Sequence, residues 1–292
     1  MNEAEFLKYI KSQKGYSEHT VISYGGDLKS FRIFGEENHL FDSIDRATAK
    51  DIRIWISSLK RGDMSSRSVN RKIASLKSFY KYLLRSGDIA VNPAVNISNL
   101  KSDKKLPEFI KAEALDILFD SNHFSDDFEG VRDRLIIEML YGTGLRRAEL
   151  MSLKPESIDI QQCKLKVLGK NNKERIVPFP EPLQDRIRHY TEFRKEMFPE
   201  NNDFFITKKG KSIYPKLIWR VVNKYLSYTT GIKQRSPHIL RHTYATHLLN
   251  SGADINAVKE LLGHANLSAT QIYTHNTFEH LNSIYKQAHP RA

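Results

Sequence analysis

Six side chains in the later part of the chain have types and spacings suited to attack on a phosphodiester: Arg146, Lys170, His238, Arg241, His264 and Tyr273. A pentacoordinate phosphorus gathers negative charge on its non-bridging oxygens. Two guanidinium forks, permanently charged and able to bind through two N–H groups each, can brace that charge. Arg146 and Arg241 fit the task. The departing 5′ oxygen needs a proton, and Lys170, at the tip of a Gly-Lys-Asn-Asn-Lys segment, fits that one. A tyrosine hydroxyl has a pKa of about 10 and is mostly protonated at neutral pH. Attack by Tyr273 therefore needs a nearby base or a strongly positive site, and His238 and His264 are candidates for the base. His238 and Arg241 stand three apart, so on a helical turn they share a face and can grip one phosphate. Glu149 follows Arg146 by three and can hold its guanidinium.

His238 and His242 have the i, i+4 spacing of a zinc pair, but no glutamate follows His238 as an H-E-x-x-H site requires. No metal and no cofactor are expected. His242, His247 and His275 read as structural, and Arg147 as lying off the reacting face. Lys173 rivals Lys170 in the same segment, and position favours Lys170.

The elements that must hold these groups can be traced from pattern. Leu165 to Leu168 and Arg175 to Phe179 alternate on either side of the Gly169–Lys173 tip, which predicts a β-hairpin. Helices are expected from about Ala112 to Phe119 and from about Val131 to Tyr141, the latter closed by Gly142, with another starting near Leu145. Helices resume near Pro182, Phe204 to Ile206 is a short strand, and from Pro215 onward the pattern is helical with stops at Gly252 and Gly263. Before residue 97 the chain reads as helices only. Ser17, Thr48 and Ser65 are N-caps, Asp51 answers Thr48, and Gly87 ends the clearest helix. That helix carries Val69, Ile73, Leu76, Tyr80 and Leu83 on one stripe, with Arg67, Arg71, Lys72 and Lys77 between them as candidate DNA contacts. Asn92-Pro93 breaks the pattern, and residues 97–107 read as a linker between a domain of residues 1–96 and one of 108–292.

The net charge of +12 suits a polyanionic partner. Residues 1–100 and 106–292 carry +5 each, so both halves are expected to face the same polyanion. A single cysteine, Cys163, permits neither an internal disulfide nor a thiolate metal cluster, and reads as a structural thiol in a reducing, cytoplasmic setting. No apolar run is long enough to span a membrane.

The motifs together resemble the tyrosine recombinase (phage-integrase) family: T-G-L-R-x-x-E-L at Thr143 to Leu150, G-K at Gly169-Lys170, H-x-L-R-H at His238 to His242, L-G-H at Leu262 to His264 and I-Y-T-H at Ile272 to His275. S-x-x-T-x-x-x-Y at Ser17 to Tyr24 and Asn92-Pro93 resemble that family's N-terminal half, and within the family the chain is most similar to Xer-type recombinases. The resemblance implies a mainly α fold: a helical, SAM-like core-binding domain and a mostly helical catalytic domain with a small antiparallel sheet, together clamping DNA. It implies Arg146 and Arg241 as the phosphate clamp, Lys170 as general acid, His238 and His264 as acid–base or phosphate-binding groups, and Tyr273 as nucleophile. The product is a 3′-phosphotyrosine and a free 5′-hydroxyl, with no need for metal or ATP.

The implied partners are a double-stranded recombination site, three further subunits (self or a paralogue) in a tetramer on two sites, and a cell-division DNA translocase as controller. The terminal segment, with Phe278, Leu281, Ile284 or Tyr285, and Ala288 at helical spacing, is expected to dock on a neighbouring subunit. Rival readings are a mobile-element integrase or invertase, a type IB topoisomerase and an inert DNA binder.

Overall fold

A computed structural model describes residues 2–101, 108–169, 174–263 and 275–291, without the side chains of 2 and 275–280. The chain divides into two units, Met1–Lys105 and Leu106–Ala292.

The first unit is built from α1 (Asn2–Ser12), α2 (Glu18–Glu37), α3 (Ala49–Arg61) and α4 (Ser66–Ser86). Three helix starts are set by local chemistry. Ser17 and Ser65 each accept a hydrogen bond from the backbone three residues on. Thr48 and Asp51 form a reciprocal capping box, with Thr48 N donating to Asp51 Oδ2 at 2.8 Å. Gly87 ends α4 in the left-handed conformation. The faces so fixed bury Phe6, Leu28, Phe31, Trp55, Leu76, Phe79 and Tyr80, each large side chain contributing about 1.5–3 kcal/mol of apolar burial. The Tyr80 hydroxyl donates to Ile44 O at 2.6 Å. Ile97 belongs to this core, and the Asn70 side-chain amide donates to Leu100 O and accepts from Leu100 N, so packing of the first unit runs past residue 96. Helix α1 falls in the stretch read as helical, although no bounds for it were read from the sequence.

Of the predicted DNA contacts on α4, Lys72 is the exception. Lys72 is buried, its Nζ 3.2 Å from Asp27 Oδ1 and over the Trp55 ring. Arg71 also donates to Asp27 but keeps part of its side chain exposed. Asp27 is itself buried, so the pair exists to neutralise it, and Lys72 is not free to meet a phosphate. Arg67 is exposed and Lys77 half-buried.

The second unit runs α5 (Ala112–Asp120), α6 (Phe128–Thr143), α7 (Arg147–Met151), β1 (Ile158–Asp159), β2 (Lys164–Leu168), β3 (Glu174–Pro178), α8 (Leu183–Met197), α9 (Pro215–Thr229), α10 (Pro237–Asn250), α11 (Ile255–Leu262) and α12 (His275–Ala288). Helix α6 is its axis. Leu135, Ile136, Ile137, Met139, Leu140 and Tyr141 are all buried, which marks a helix covered on every side. It starts at Phe128, where Asp127 accepts from Gly130 N at 2.8 Å. It ends at Gly144 (φ +62°) rather than Gly142. Gly142 stays helical because Tyr285 Oη donates to its carbonyl at 3.0 Å.

The three strands form an antiparallel sheet in the order β1-β2-β3, with Leu165 opposite Val177 and Val167 opposite Arg175. Cys163 sits in the turn before β2, at φ +49°. The strand expected at Phe204 to Ile206 is a single bridge, Ile206 to Ser212. In the single chain, Leu281, Tyr285 and Ala288 are buried against their own domain, and Lys286–Glu181 (3.2 Å) and Arg291–Asp116 (2.8 Å) close the seat. Docking on a neighbour would require leaving it. No helix among the described residues is long and apolar enough to cross a membrane.

Candidate active site

Gly144 makes the turn that carries the chain from α6 to Arg146. A Cβ there would lie 2.6 and 2.8 Å from ring carbons of Tyr244, so the left-handed φ and the tight space both demand glycine. Arg146 follows in extended conformation, immediately before α7. Glu149, one turn on and 4% exposed, faces back to it. Its Oε2 accepts from Arg146 N at 2.7 Å and its Oε1 from Arg146 Nη1 at 2.8 Å. Glu149 thus orients Arg146, as its spacing suggested.

The remaining edge of Arg146 points across the unit, where Nη2 donates to Gly263 O at 2.8 Å. Arg241, on α10, donates through Nη2 to Leu262 O at 2.6 Å and through Nη1 to Gly144 O. Both arginines therefore converge on the carbonyls that end α11, where Gly263 adopts φ +64°. Helix ends leave carbonyls without intrahelical partners, and here guanidinium groups satisfy them.

No carboxylate among the described residues forms an ion pair with Arg241. Burial, and then the like charge of Arg146, pull its pKa down to about 10. It remains charged at neutral pH, poorly solvated, and suited to an incoming anion. His238 is exposed on the first turn of α10, one turn before Arg241.

Lys170, with its rival Lys173, and His264 and Tyr273 lie outside the described residues. His264 directly follows Gly263, whose carbonyl Arg146 holds. Of the other histidines, His247 is structural: it is buried, with Nδ1 2.9 Å from Tyr141 Oη, and burial lowers its pKa. His242 is half-buried, and Arg147 is exposed. No group of three or more His, Cys, Asp or Glu side chains among the described residues is placed to hold a metal ion.

One member of the cluster was missed. Arg175, on β3 and 5% exposed, donates through Nη1 to Glu149 Oε1 at 2.6 Å and through Nη2 to Oε2 at 3.0 Å. A signal was available: Arg175 alternates with Val177 and Phe179 on the inward face of the strand, and an inward arginine needs a buried anion. Burial alone would raise the Glu149 pKa, but hydrogen bonds and charge from Arg175 and Arg146 outweigh it and hold the carboxyl below its ordinary value.

Residues 109–280 match the model of the phage integrase family, and residues 4–87 match that of the phage integrase N-terminal SAM-like domain. The chain belongs to the phage integrase, or tyrosine recombinase, family. It is 41% identical over 294 residues to a tyrosine recombinase XerC of Listeria innocua, covering 99% of this chain and 98% of the relative. It is 39% identical over 315 residues to the tyrosine recombinase XerC of Chlorobaculum tepidum, covering 99% and 94%. The fold is similar to that of the XerH site-specific recombinase solved with a palindromic difH substrate after cleavage. That likeness has a TM-score of 0.73 at 22% identity and covers 96% of this chain and 83% of that one.

Proposed function

We propose that this chain is a site-specific tyrosine recombinase of the Xer type that cuts and rejoins DNA through a 3′-phosphotyrosine. The observation that carries this reading is the convergence of Arg146 and Arg241, from distant parts of the chain, on the end of α11, together with near-full-length similarity to XerC recombinases.

The two guanidinium groups receive the non-bridging oxygens of the scissile phosphate, where preorganised positive charge is worth most. Tyr273 Oη attacks phosphorus and its proton passes to His238 or His264. The P–O5′ bond breaks, and Lys170 delivers a proton to the leaving 5′ oxygen. Religation is the reverse, with a 5′-hydroxyl attacking the phosphotyrosine. One phosphodiester is exchanged for another, so no ATP is consumed. Arg146, Arg241 and Lys170 supply the positive charge that a metal ion supplies in other phosphoryl transfers.

The partners are a double-stranded site, bound mainly through phosphates by both units, and three further recombinase subunits, of this chain or a paralogue. The setting is the cytoplasm, where chromosomal DNA lies. A translocase acting at cell division is the expected controller.

The test is a supercoiled plasmid carrying two copies of a site selected from random duplexes by binding, incubated in EDTA without nucleotide, with the chain alone or mixed with its paralogue. Resolution into two circles is expected. Relaxation of a plasmid lacking the site would instead identify a topoisomerase, and binding with neither a recombinant product nor a covalent adduct on a nicked site would identify an inert binder.

A further inference from the structure

A charged side chain on the inward face of a strand pays a desolvation cost and needs partners that offset it. Arg175 shares the buried face of the sheet with Val167, Leu165 and Val177, yet it is satisfied. Two of its nitrogens meet the two oxygens of Glu149, and Nε donates to Leu261 O at 3.4 Å. Its stem also defines the end of α11. A Cβ on Gly263 would lie 3.0–3.2 Å from Cδ, Nε and Cζ of Arg175, so the Leu261–Gly263 turn rests directly on this side chain.

That turn and Glu149 are the two supports of the phosphate clamp. Glu149 takes Arg146 N and Nη1, Gly263 O takes Arg146 Nη2, and Leu262 O takes Arg241 Nη2. We propose that Arg175 is a positioning residue for strand cleavage: one buried guanidinium sets the place of both clamp arginines, Arg146 through Glu149 and Arg241 through the Leu261–Gly263 turn. The proposal rests on the tyrosine recombinase reading. It also ties the strand that leaves the Lys170 hairpin to the same carboxylate.

Arg175→Lys keeps the charge but cannot span both Glu149 oxygens, and Arg175→Gln loses the charge. The readout is single-turnover formation of the covalent adduct at saturating protein, on a nicked duplex whose scissile linkage is a phosphodiester or a methylphosphonate. The neutral methylphosphonate gathers less negative charge during attack and asks less of the arginines. The expected result is unchanged DNA affinity, with cleavage of the phosphodiester slowed about 10-fold in R175K and about 100-fold in R175Q, the scale on which supporting partners act on reacting groups. Both deficits should shrink on the methylphosphonate.

A residue serving the fold alone would lower the active fraction equally on both linkages and leave the rate of the active molecules unchanged, which would overturn the proposal. Wild-type rates in R175Q would do the same. If R175Q does not fold, R175K decides the matter. Absence of an adduct with the wild-type protein would remove the recombinase reading itself, and the proposal with it, whereas a wild-type adduct with insensitive Arg175 variants would remove the proposal alone.

Discussion

Glu149→Gln changes one oxygen to an amide and leaves the shape of the side chain almost intact, yet it should be among the most damaging substitutions in the second unit. Each carboxylate oxygen of Glu149 accepts two hydrogen bonds, one from Arg146 and one from Arg175. A glutamine turns one of those acceptors into a donor facing two donors, and leaves Arg175, 5% exposed, with no anion. Removing one partner of a buried ion pair costs about 3–5 kcal/mol. In a domain of this size that corresponds to a fall in Tm of roughly 6–20 °C. Folded-state ionisation sets the pH range. The Glu149 pKa is lowered on folding, so its stabilisation is complete above the ordinary glutamate value of about 4.3 and is lost as pH falls through the lower folded value. The part of the E149Q deficit that comes from the ionised carboxylate should therefore be present at neutral pH and shrink in acid. Urea unfolding of the full chain, followed by a probe in the second unit, is the assay. Arg175→Met should cost less in the E149Q background than in the wild type, with a coupling above about 1 kcal/mol. Additive single effects, or an E149Q deficit at neutral pH below about 1 kcal/mol, would refute the view that this carboxylate is the hub of the site.

Gly144→Ala places a methyl group 2.6–2.8 Å from the Tyr244 ring at φ +62°; strain plus overpacking should cost about 2–5 kcal/mol by urea unfolding, and cleavage should drop because Gly144 O holds Arg241. Burial holds His289 at a pKa of about 4, so the tail should lose stability as pH falls from about 6.5 toward that value, by about 3 kcal/mol in all. Hydrogen exchange of residues 281–288 should show this loss, and His289→Phe should abolish the dependence on pH. In the first unit, Arg67→Ala should reduce the slope of log binding constant against log salt by about 1. Lys72→Met should leave that slope unchanged while lowering the stability of the first unit by about 1–3 kcal/mol.

What could be read from the sequence was local or carried by motif. The caps at Ser17, Thr48 and Ser65 involve neighbours three residues away and were legible, as was the hairpin of alternating residues around Gly169–Lys173. Arg146, Glu149, His238 and Arg241 were singled out by type and spacing, and the pairing of Arg146 with Glu149 followed from their separation by one helical turn. The errors lie where a partner is remote. Lys72 looked like one more cation on a basic helix face because Asp27, its counter-ion, belongs to another helix. Gly142 and Gly144 are equally good helix stops by composition, and contacts from Tyr285 and Tyr244 decide between them. Arg175 was passed over because its partner Glu149 precedes the hairpin by a whole strand, although its inward register carried the clue. Nor does any pattern in the sequence indicate that both clamp arginines are seated on the carbonyls at the end of α11.

The most direct test of the account is formation of an SDS-stable protein–DNA adduct on a nicked duplex, in EDTA, by the wild-type chain and by Tyr273→Phe. The nick lets the cut fragment diffuse away, so the covalent intermediate accumulates. An adduct with the wild type and none with Tyr273→Phe is the predicted result. An adduct with both proteins would place the nucleophile elsewhere and contradict the assignment of Tyr273.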